Sequence, residues 1–235
     1  MVEIFNINYN QYVDVVGTAH FTRRSINDAY ESIKSLNPKD VAIELDWTRF
    51  QHLNTACIGC PKSGSCKGLC EFTGAAEALG NVDTNIWLID MTEQEIRRRI
   101  RSRMTPSERT RMGFQVYYEV DEDPIWLWEK GFKDRVINNS KKQIEASRQF
   151  FPSVWRVLVD ERNALMSARL AWIASKNLHI HTRKDSKILA FVGAAHVEGI
   201  KDLLMDPLLI KDQLRRFHLS FTEPTLIRRV AIQWN

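Results

Sequence analysis

Four short apolar segments constrain the fold of this 235-residue chain more than any other feature of its sequence. Each is five or six residues long, and a stretch long enough to form a helix separates it from the next. The segments span residues 13–17, 41–46, 85–90 and 188–193. Strands spaced in this way need crossover connections, which place them parallel in one sheet. The sequence therefore predicts an α/β fold with a mostly parallel sheet flanked by helices.

Helical periodicity accounts for much of the remaining chain. Apolar residues recur at intervals of three and four positions, which is the spacing of one helical face. The predicted helices span residues 25–36, 153–175, 197–205 and 207–217. A last strand is expected over 226–234.

The domain organisation follows from these elements. No low-complexity linker divides the chain, so we expect a single α/β domain over 1–235. A cysteine-rich loop insertion at 51–80 and a helical, arginine-rich insertion at 92–152 interrupt it. Thr92 and Glu95 have the spacing of a capping box, which predicts a helix start within the second insertion.

A five-residue phrase, VG-x-A-H, occurs twice, at the end of the first and the last apolar segment. In each copy the segment ends at a glycine, Gly17 or Gly193, and a histidine follows three residues later. Ligands of open parallel sheets bind beyond the carboxyl ends of the strands. His20 and His196 are therefore expected to face one site, where they could bind a metal. The alternative is a pair of turn or helix-capping histidines.

Glu44 follows a strand in the same way as the two histidines. Strand alternation places Glu44 and Asp46 on one side of the strand end and Leu45 on the other. A carboxylate beside two imidazoles suits either a metal ligand or a general base. A solvent-facing acid at a strand terminus is the alternative interpretation.

The long helix over 153–175 carries an acidic residue on an otherwise apolar face. That face consists of Val154, Leu158, Glu161, Leu165, Ala168 and Trp172. Ionised carboxylates are seldom buried without a partner, so Glu161 is a candidate catalytic residue. The adjacent Arg162 is a candidate clamp for an oxyanion or a carboxylate. A purely structural Glu161–Arg162 pair is the alternative.

All four cysteines of the chain lie within 14 residues. Cys57, Cys60, Cys66 and Cys70 form the pattern C-x2-C-x5-C-x3-C. Four thiolates suit a tetrahedral structural zinc, and they would also hold an iron–sulfur cluster. Two disulfides or four free thiols are the remaining alternatives.

The positive charge of the chain is concentrated in one window. Residues 97–111 contain seven arginines and one acid, a net charge of +6, whereas the whole chain carries +4. Arg97, Arg98 and Arg101 are the candidate anion-binding residues, with an acidic peptide, a nucleic acid or an anionic membrane surface as partners. Nucleic acid is the weaker expectation, because three acids at 121–123 could neutralise part of the patch.

Four motifs, in order, resemble those of the TraB/PrgY family. They read GTAHFTRRS, VAIELDWTRF, DERNALMSARL and FVGAAHVEGI. That family belongs to the Tiki superfamily, with the GumN-like and erythromycin-esterase-like proteins. The resemblance implies an α/β fold in which both G-x-x-H motifs and a strand-end glutamate converge on one site. The positions that match are Gly17, His20, Glu44, Glu161, Arg162, Gly193 and His196.

The resemblance also implies a function. Tiki relatives are regarded as metal-dependent proteases, and the TraB/PrgY branch is associated with shutting down peptide pheromones. Many relatives continue into a membrane-spanning C-terminal region, which this sequence lacks, and 51–157 matches none of the motifs. These departures bear on membrane association and on the pheromone role.

The leading expectation is a metal-dependent hydrolase of a peptide, or of a small ester or amide. His20 and His196 would bind Mn²⁺, Co²⁺ or Zn²⁺ together with Glu44 or Glu161, and a bound water would be the nucleophile. The remaining carboxylate would be the general base, and Arg162 would stabilise the oxyanion. A metal-free enzyme with His20 as base is the nearest competitor. A non-catalytic peptide- or anion-binding regulator is the second class.

The location of the protein is predicted from two absences in the sequence. No run of 18 apolar residues occurs, and the N-terminus lacks the basic start and apolar run of a signal peptide, which favours a cytoplasmic protein without a membrane span. The oligomeric state is left open, with a homodimer as one option.

Overall fold

A computed structural model gives the structure of the protein over residues 7–18, 23–56, 84–113, 124–132, 134–135, 147–180 and 187–227. These residues contain a five-stranded sheet. Its strands are β1 (Val13–Thr18), β2 (Asp40–Ile43), β3 (Asn85–Leu88), β4 (Ile188–Gly193) and β5 (Thr225–Ile227). The spatial order is β1-β4-β2-β3-β5. All neighbours are parallel except β5, which runs antiparallel to β3. The predicted α/β class with a mostly parallel sheet is thereby confirmed.

Nine helices surround this sheet in the described part of the chain. They are α1 (Arg23–Leu36), α2 (Trp47–Ala56), α3 (Glu93–Arg103), α4 (Pro106–Gly113), α5 (Pro124–Glu129), α6 (Pro152–Trp155), α7 (Arg162–Ile180), α8 (Val197–Met205) and α9 (Pro207–Arg216). A π-helical turn, Arg156–Glu161, joins α6 to α7. Short 3₁₀ turns lie at Tyr9–Gln11 and Ala194–His196.

The sheet has an apolar core on each face. On β4, Ala190 and Val192 face a core shared with α7, α8 and α9, whereas Leu189 and Phe191 face a second core shared with α1. This two-residue alternation is the strand period. Because both faces are covered, the central strand β4 is apolar and buried over its whole length, as buried parallel strands usually are.

The start of α3 lies where the capping pattern predicts it. The Thr92 side chain accepts a hydrogen bond from the Glu95 backbone N–H at 3.3 Å. Glu95 does not complete a capping box, because its carboxylate instead accepts bonds from Arg98 and Arg99. Glu95, which the sequence pattern assigned to the helix cap, is therefore an ion-pair partner of the arginines of α3.

The π-helical turn changes the face predicted for the long helix. A π turn contains an extra residue, so the 3.6-residue spacing is interrupted across it. Leu158, expected on the buried stripe, is 37% exposed, whereas Glu161 is fully buried. The sequence-based prediction treated the segment as one continuous α-helix and therefore placed Leu158 on the buried face.

Three sequence predictions extend beyond the described residues. Of the cysteine-rich loop at 51–80, only 51–56 is described, and it belongs to α2. The insertion at 92–152 is described in part, and of the last strand, expected over 226–234, only 226–227 is described, as the end of β5. Among the helices that are described, none has the length and apolar character needed to span a bilayer.

Candidate active site

The carboxyl ends of three neighbouring strands bring polar residues together. Glu44 follows β2, Asp90 lies two residues beyond β3, and β4 ends at Gly193. In the sheet, Ile43 is paired with Phe191 on one side and with Leu88 on the other, so the three strands end at the same edge. This edge is where open parallel sheets bind ligands.

Glu44 is the point where three of the sequence motifs meet. It is buried, and its Oε2 accepts a hydrogen bond from the Gly193 N–H at 2.6 Å. Its Oε1 forms an ion pair with Arg162 Nη2 and lies 3.4 Å from His196 Nε2. Residues 44, 162 and 196 are far apart in sequence, so only the fold brings them together.

Asp90 is the centre of the same network. It accepts hydrogen bonds from Arg162 Nε at 2.9 Å and Nη2 at 2.7 Å, and from Arg49 Nη2 at 2.6 Å. The Met91 N–H donates a further bond at 2.7 Å. This buried carboxylate therefore fixes the position of both guanidinium groups.

Two further contacts connect the network to its surroundings. Arg49 Nε contacts Asp46 Oδ2 at 2.5 Å, and Asp46 also caps the start of α2 by accepting from the Thr48 N–H at 2.8 Å. Arg169 Nη1 donates to the Asp90 carbonyl at 2.5 Å and its Nη2 to the Thr222 hydroxyl at 2.6 Å. We call Glu44, Asp46, Asp90, Arg49, Arg162, Arg169, Asn163 and His196 the strand-end cluster. Its three carboxylates match its three guanidinium groups in charge.

Asn163 orients the imidazole of His196. The Asn163 Oδ1 lies 2.7 Å from His196 Nδ1, and both residues are buried. A carbonyl oxygen only accepts, so the proton is on Nδ1 and Nε2 faces Glu44. A Cβ on Gly199 would collide with Asn163 Nδ2, so the glycine provides the space that Asn163 occupies.

The charges of the cluster hold the Glu44 and Asp90 carboxylates in their ionised form. Burial alone would raise the pKa of Glu44, but His196, Arg162 and the Gly193 N–H together lower it well below its usual range. Burial likewise opposes ionisation of Asp90, yet Arg162 and Arg49 lower its pKa. The same carboxylates raise the pKa values of Arg162 and Arg49 against the effect of burial.

Glu161 does not join the strand-end cluster. It is fully buried, and its carboxylate contacts Arg99 Nη1 at 3.0 Å, Arg103 Nε at 2.8 Å and Arg156 Nε at 3.1 Å. Arg99 and Arg103 also donate to the Phe217 carbonyl at the end of α9. We call Glu161, Arg99, Arg103 and Arg156 the Glu161 cluster.

The remaining predicted residues have different positions. Arg97 pairs with Glu93, and Arg98 pairs with Glu95, both on the exposed face of α3. The Arg101 side chain is exposed and has no acidic partner in the part of the chain that the structure describes. His20, Cys57, Cys60, Cys66 and Cys70 lie outside the described residues.

The donor atoms of Glu44 and His196 are suitably placed for a shared metal ion. Two ligands of a tetrahedral ion with bonds of about 2.1 Å lie roughly 3.4 Å apart, and Glu44 Oε1 and His196 Nε2 are 3.4 Å apart. The Asn163 contact to the other imidazole nitrogen is the usual support of a ligating histidine. Within the described residues, no group of three or more His, Cys, Asp or Glu side chains is arranged to hold a metal.

Several members of the strand-end cluster were not among the residues predicted from sequence. Asp90 ends the third apolar segment as Asp46 ends the second, so the strand-end rule could have identified it. Arg49, Asn163 and Arg169 lie inside the motifs VAIELDWTRF and DERNALMSARL. No spacing distinguished them from their neighbours, because their roles depend on contacts between distant segments.

Comparison with known proteins identifies one relative of unstated activity. An uncharacterized protein from Methanocaldococcus jannaschii is 28% identical over an alignment of 227 positions that covers 85% of this chain and 55% of that protein. The chain thus spans about half the length of the curated relative that it matches. No family model matches the chain, and no solved structure matches it. The case for an activity therefore rests on the geometry of the strand-end cluster.

Proposed function

We propose that the protein is a metal-dependent hydrolase of an amide or ester bond, of the TraB/Tiki type. The observation that carries this proposal is the convergence of Glu44, Arg162 and His196 at the carboxyl edge of the sheet. His196 and Glu44, together with His20 from the first G-x-x-H motif, would hold a divalent cation. When bound, such a cation supplies Lewis acidity toward the carbonyl of the substrate.

Glu44 is better suited to binding a cation than to accepting a proton. A general base works best with a pKa near the operating pH, whereas the charges around Glu44 lower its pKa far below that range. Its two oxygens are also held in place, one by the Gly193 N–H and one by Arg162. Glu44 therefore acts in this proposal as a fixed anionic ligand.

In this proposal, Arg162 would stabilise negative charge on a substrate oxygen. Asp90 and Glu44 occupy its Nε and Nη2, and Nη1 donates to the Leu158 carbonyl at 3.1 Å. The second hydrogen on Nη1 has no acceptor among the described residues. A preorganised donor of this kind stabilises an oxyanion without rearrangement during the reaction.

Glu161 has no step in this proposal. Its carboxylate is buried among three guanidinium groups and does not reach Glu44 or His196. The expectation that it acts as general base is therefore not carried forward.

Hydrolysis assays on matched variants test the proposal. The protein, with Mn²⁺, Co²⁺ or Zn²⁺ added, is incubated with a peptide mixture and with small ester and amide substrates, and products are measured by mass spectrometry. We expect metal-stimulated hydrolysis whose rate falls at least 100-fold in His196→Ala and in Glu44→Gln. The control Arg97→Gln should keep the wild-type rate. Hydrolysis that survives both site variants would contradict the assignment, as would none with any added metal.

A further inference from the structure

The Glu161 cluster contains more positive charge than its carboxylate can neutralise. Three guanidinium groups contact Glu161, and one of them, Arg99, is shared with Glu95 at 2.6 Å. Arg103 and Arg156 have Glu161 as their acidic contact among the described residues, and both contact the same oxygen, Oε1. The cluster is therefore net positive, in contrast to the balanced strand-end cluster.

The crowding around Glu161 Oε1 leaves guanidinium donors without acceptors. Arg103 Nε lies 2.8 Å from that oxygen but does not form a hydrogen bond with it. Arg103 uses Nη2 for the Phe217 carbonyl at 2.9 Å. Neither Arg103 Nη1 nor either Nη group of Arg156 has an acceptor in the described part of the chain.

The side chains that carry these donors are partly exposed to solvent. The side chains of Arg103 and Arg156 are 24% and 36% exposed, whereas Glu161 between them is fully buried. The Arg156 guanidinium lies over the Phe217 ring at 4.9 Å, and that of Arg216 lies beside the same ring at 5.8 Å. Stacking on an aromatic ring fixes the plane of a guanidinium group and leaves its edge available.

The environment of Arg103 is consistent with surplus positive charge. Burial lowers the pKa of Arg103, and its arginine neighbours lower it further, so that Glu161 does not fully compensate. A dianion placed against Arg103 and Arg156 would relieve this repulsion. A phosphate group fits this role because its oxygens pair with the forked donors of arginine.

We propose that Arg103 and Arg156 form a binding site for a phosphate group at the rim of the Glu161 cluster. The group could belong to a small phosphorylated molecule or to a nucleic-acid backbone, since both present the same oxygens. The site shares no residue with the strand-end cluster, so it is independent of the proposed hydrolase activity. It also differs from Arg97 and Arg98, which are paired with acids on their own helix.

Calorimetric titration with inorganic pyrophosphate at constant ionic strength tests the site. We expect saturable binding to the wild-type protein that is roughly tenfold or more weaker in Arg103→Gln and Arg156→Gln. The control Arg97→Gln, on the same helix as Arg103, is expected to bind pyrophosphate within about twofold of the wild-type affinity. The same is expected of His196→Ala, and this result would show that pyrophosphate does not bind through a metal at the strand-end cluster. Absence of saturable binding, or an equal loss in Arg97→Gln, would overturn the proposal.

Two further variants distinguish binding from a purely structural role. Arg156→Lys keeps the charge and is expected to bind with intermediate affinity. Glu161→Gln removes the competing carboxylate and should tighten pyrophosphate binding by several-fold, whereas a purely structural role predicts weaker binding or no change. A parallel titration with a single-stranded oligonucleotide identifies the source of the phosphate group. If the oligonucleotide binds more tightly than pyrophosphate and its binding depends on Arg103 and Arg156, the ligand is a nucleic-acid backbone. If pyrophosphate binds more tightly, the ligand is a small phosphorylated molecule.

Discussion

Glu161 and Arg162 are adjacent in sequence but belong to two clusters of opposite design. In the strand-end cluster, three carboxylates match three guanidinium groups, and Asp90 is saturated with donors. In the Glu161 cluster, one carboxylate faces three guanidinium groups. In the first arrangement, the acidic and basic side chains bond to one another in a fixed geometry. In the second, guanidinium donors are left over for an anion from outside the protein.

Helix geometry explains how neighbouring residues serve both clusters. Successive residues of a helix point about 100° apart, so Glu161 and Arg162 necessarily face different surroundings. The π-helical turn Arg156–Glu161 ends where α7 begins, at the boundary between the two clusters. It also brings Arg156 and Glu161, five residues apart, into contact.

Removal of Asp90 is expected to have the largest effect on stability. Asp90→Ala would leave Arg162 and Arg49 buried without their carboxylate, and breaking a buried ion pair in this way costs about 3–5 kcal/mol. The free energy of unfolding, measured with urea, gives this value. The control Glu93→Ala, which removes the exposed partner of Arg97, is expected to cost no more than about 1 kcal/mol. Equal costs would mean that the strand-end cluster does not depend on Asp90.

Loss of Glu161 is expected to cost less, because water can reach part of its cluster. Glu161→Gln leaves Arg103 and Arg156 partly exposed, so we expect a loss of about 1–3 kcal/mol in the free energy of unfolding. Phosphate should raise the thermal stability of this variant by more than that of the wild type or of Asp90→Ala, because loss of the Glu161 carboxylate tightens the phosphate site whereas loss of Asp90 leaves it unchanged. A variant that phosphate does not stabilise would remove the distinction between the clusters.

The packing of Asn163 against Gly199 is expected to contribute as much to the free energy of unfolding as Glu161 does, or less. Gly199→Ala introduces a Cβ that collides with Asn163 Nδ2, and overpacking of this kind costs about 1–3 kcal/mol. Asn163→Ala removes the obstacle. In a double-mutant cycle, the combined variant should therefore lose less stability than the sum of the two single variants. Additive losses would show that the two side chains do not compete for this space.

The strand-end cluster should lose stability in acid. The fold lowers the pKa of Asp90, so its contribution is complete above the unfolded value of about 4 and is lost as the pH falls through the folded value. Below about pH 4, the unfolding free energy of the wild type should fall more steeply than that of Asp90→Asn, by up to about 1.4 kcal/mol per pH unit.

Asp160, next to the Glu161 cluster, is expected to have the opposite effect on the pH dependence of stability. Burial raises the pKa of Asp160 despite nearby arginines, so its contribution is lost as the pH rises through the folded value. Asp160→Asn should therefore leave the protein as stable as the wild type or more stable at pH 7. A marked loss of stability at pH 7 would contradict this interpretation.

The sequence was sufficient to predict the sheet and the edge at which the site would form. Helix-length spacing predicted the end of β4 at Gly193, whereas β2 ends at Ile43, three residues before the end of the predicted strand 41–46. Glu44 and His196 both lie just beyond these strand ends. The pairing of Glu161 could not be predicted, because a π turn leaves no signal in a pattern of apolar residues. Asn163 was missed for a different reason: its role depends on a partner 33 residues away along the chain.

Metal analysis of matched variants tests the central claim most directly. A background in which the four cysteines are serine removes any cysteine-bound metal from the count. In that background, elemental analysis after dialysis should find about one divalent metal per chain in the parent and in Arg97→Gln, and almost none in His196→Ala or Glu44→Gln. Metal that is retained in both site variants, or absent from the parent, would contradict a metal centre at the strand-end cluster.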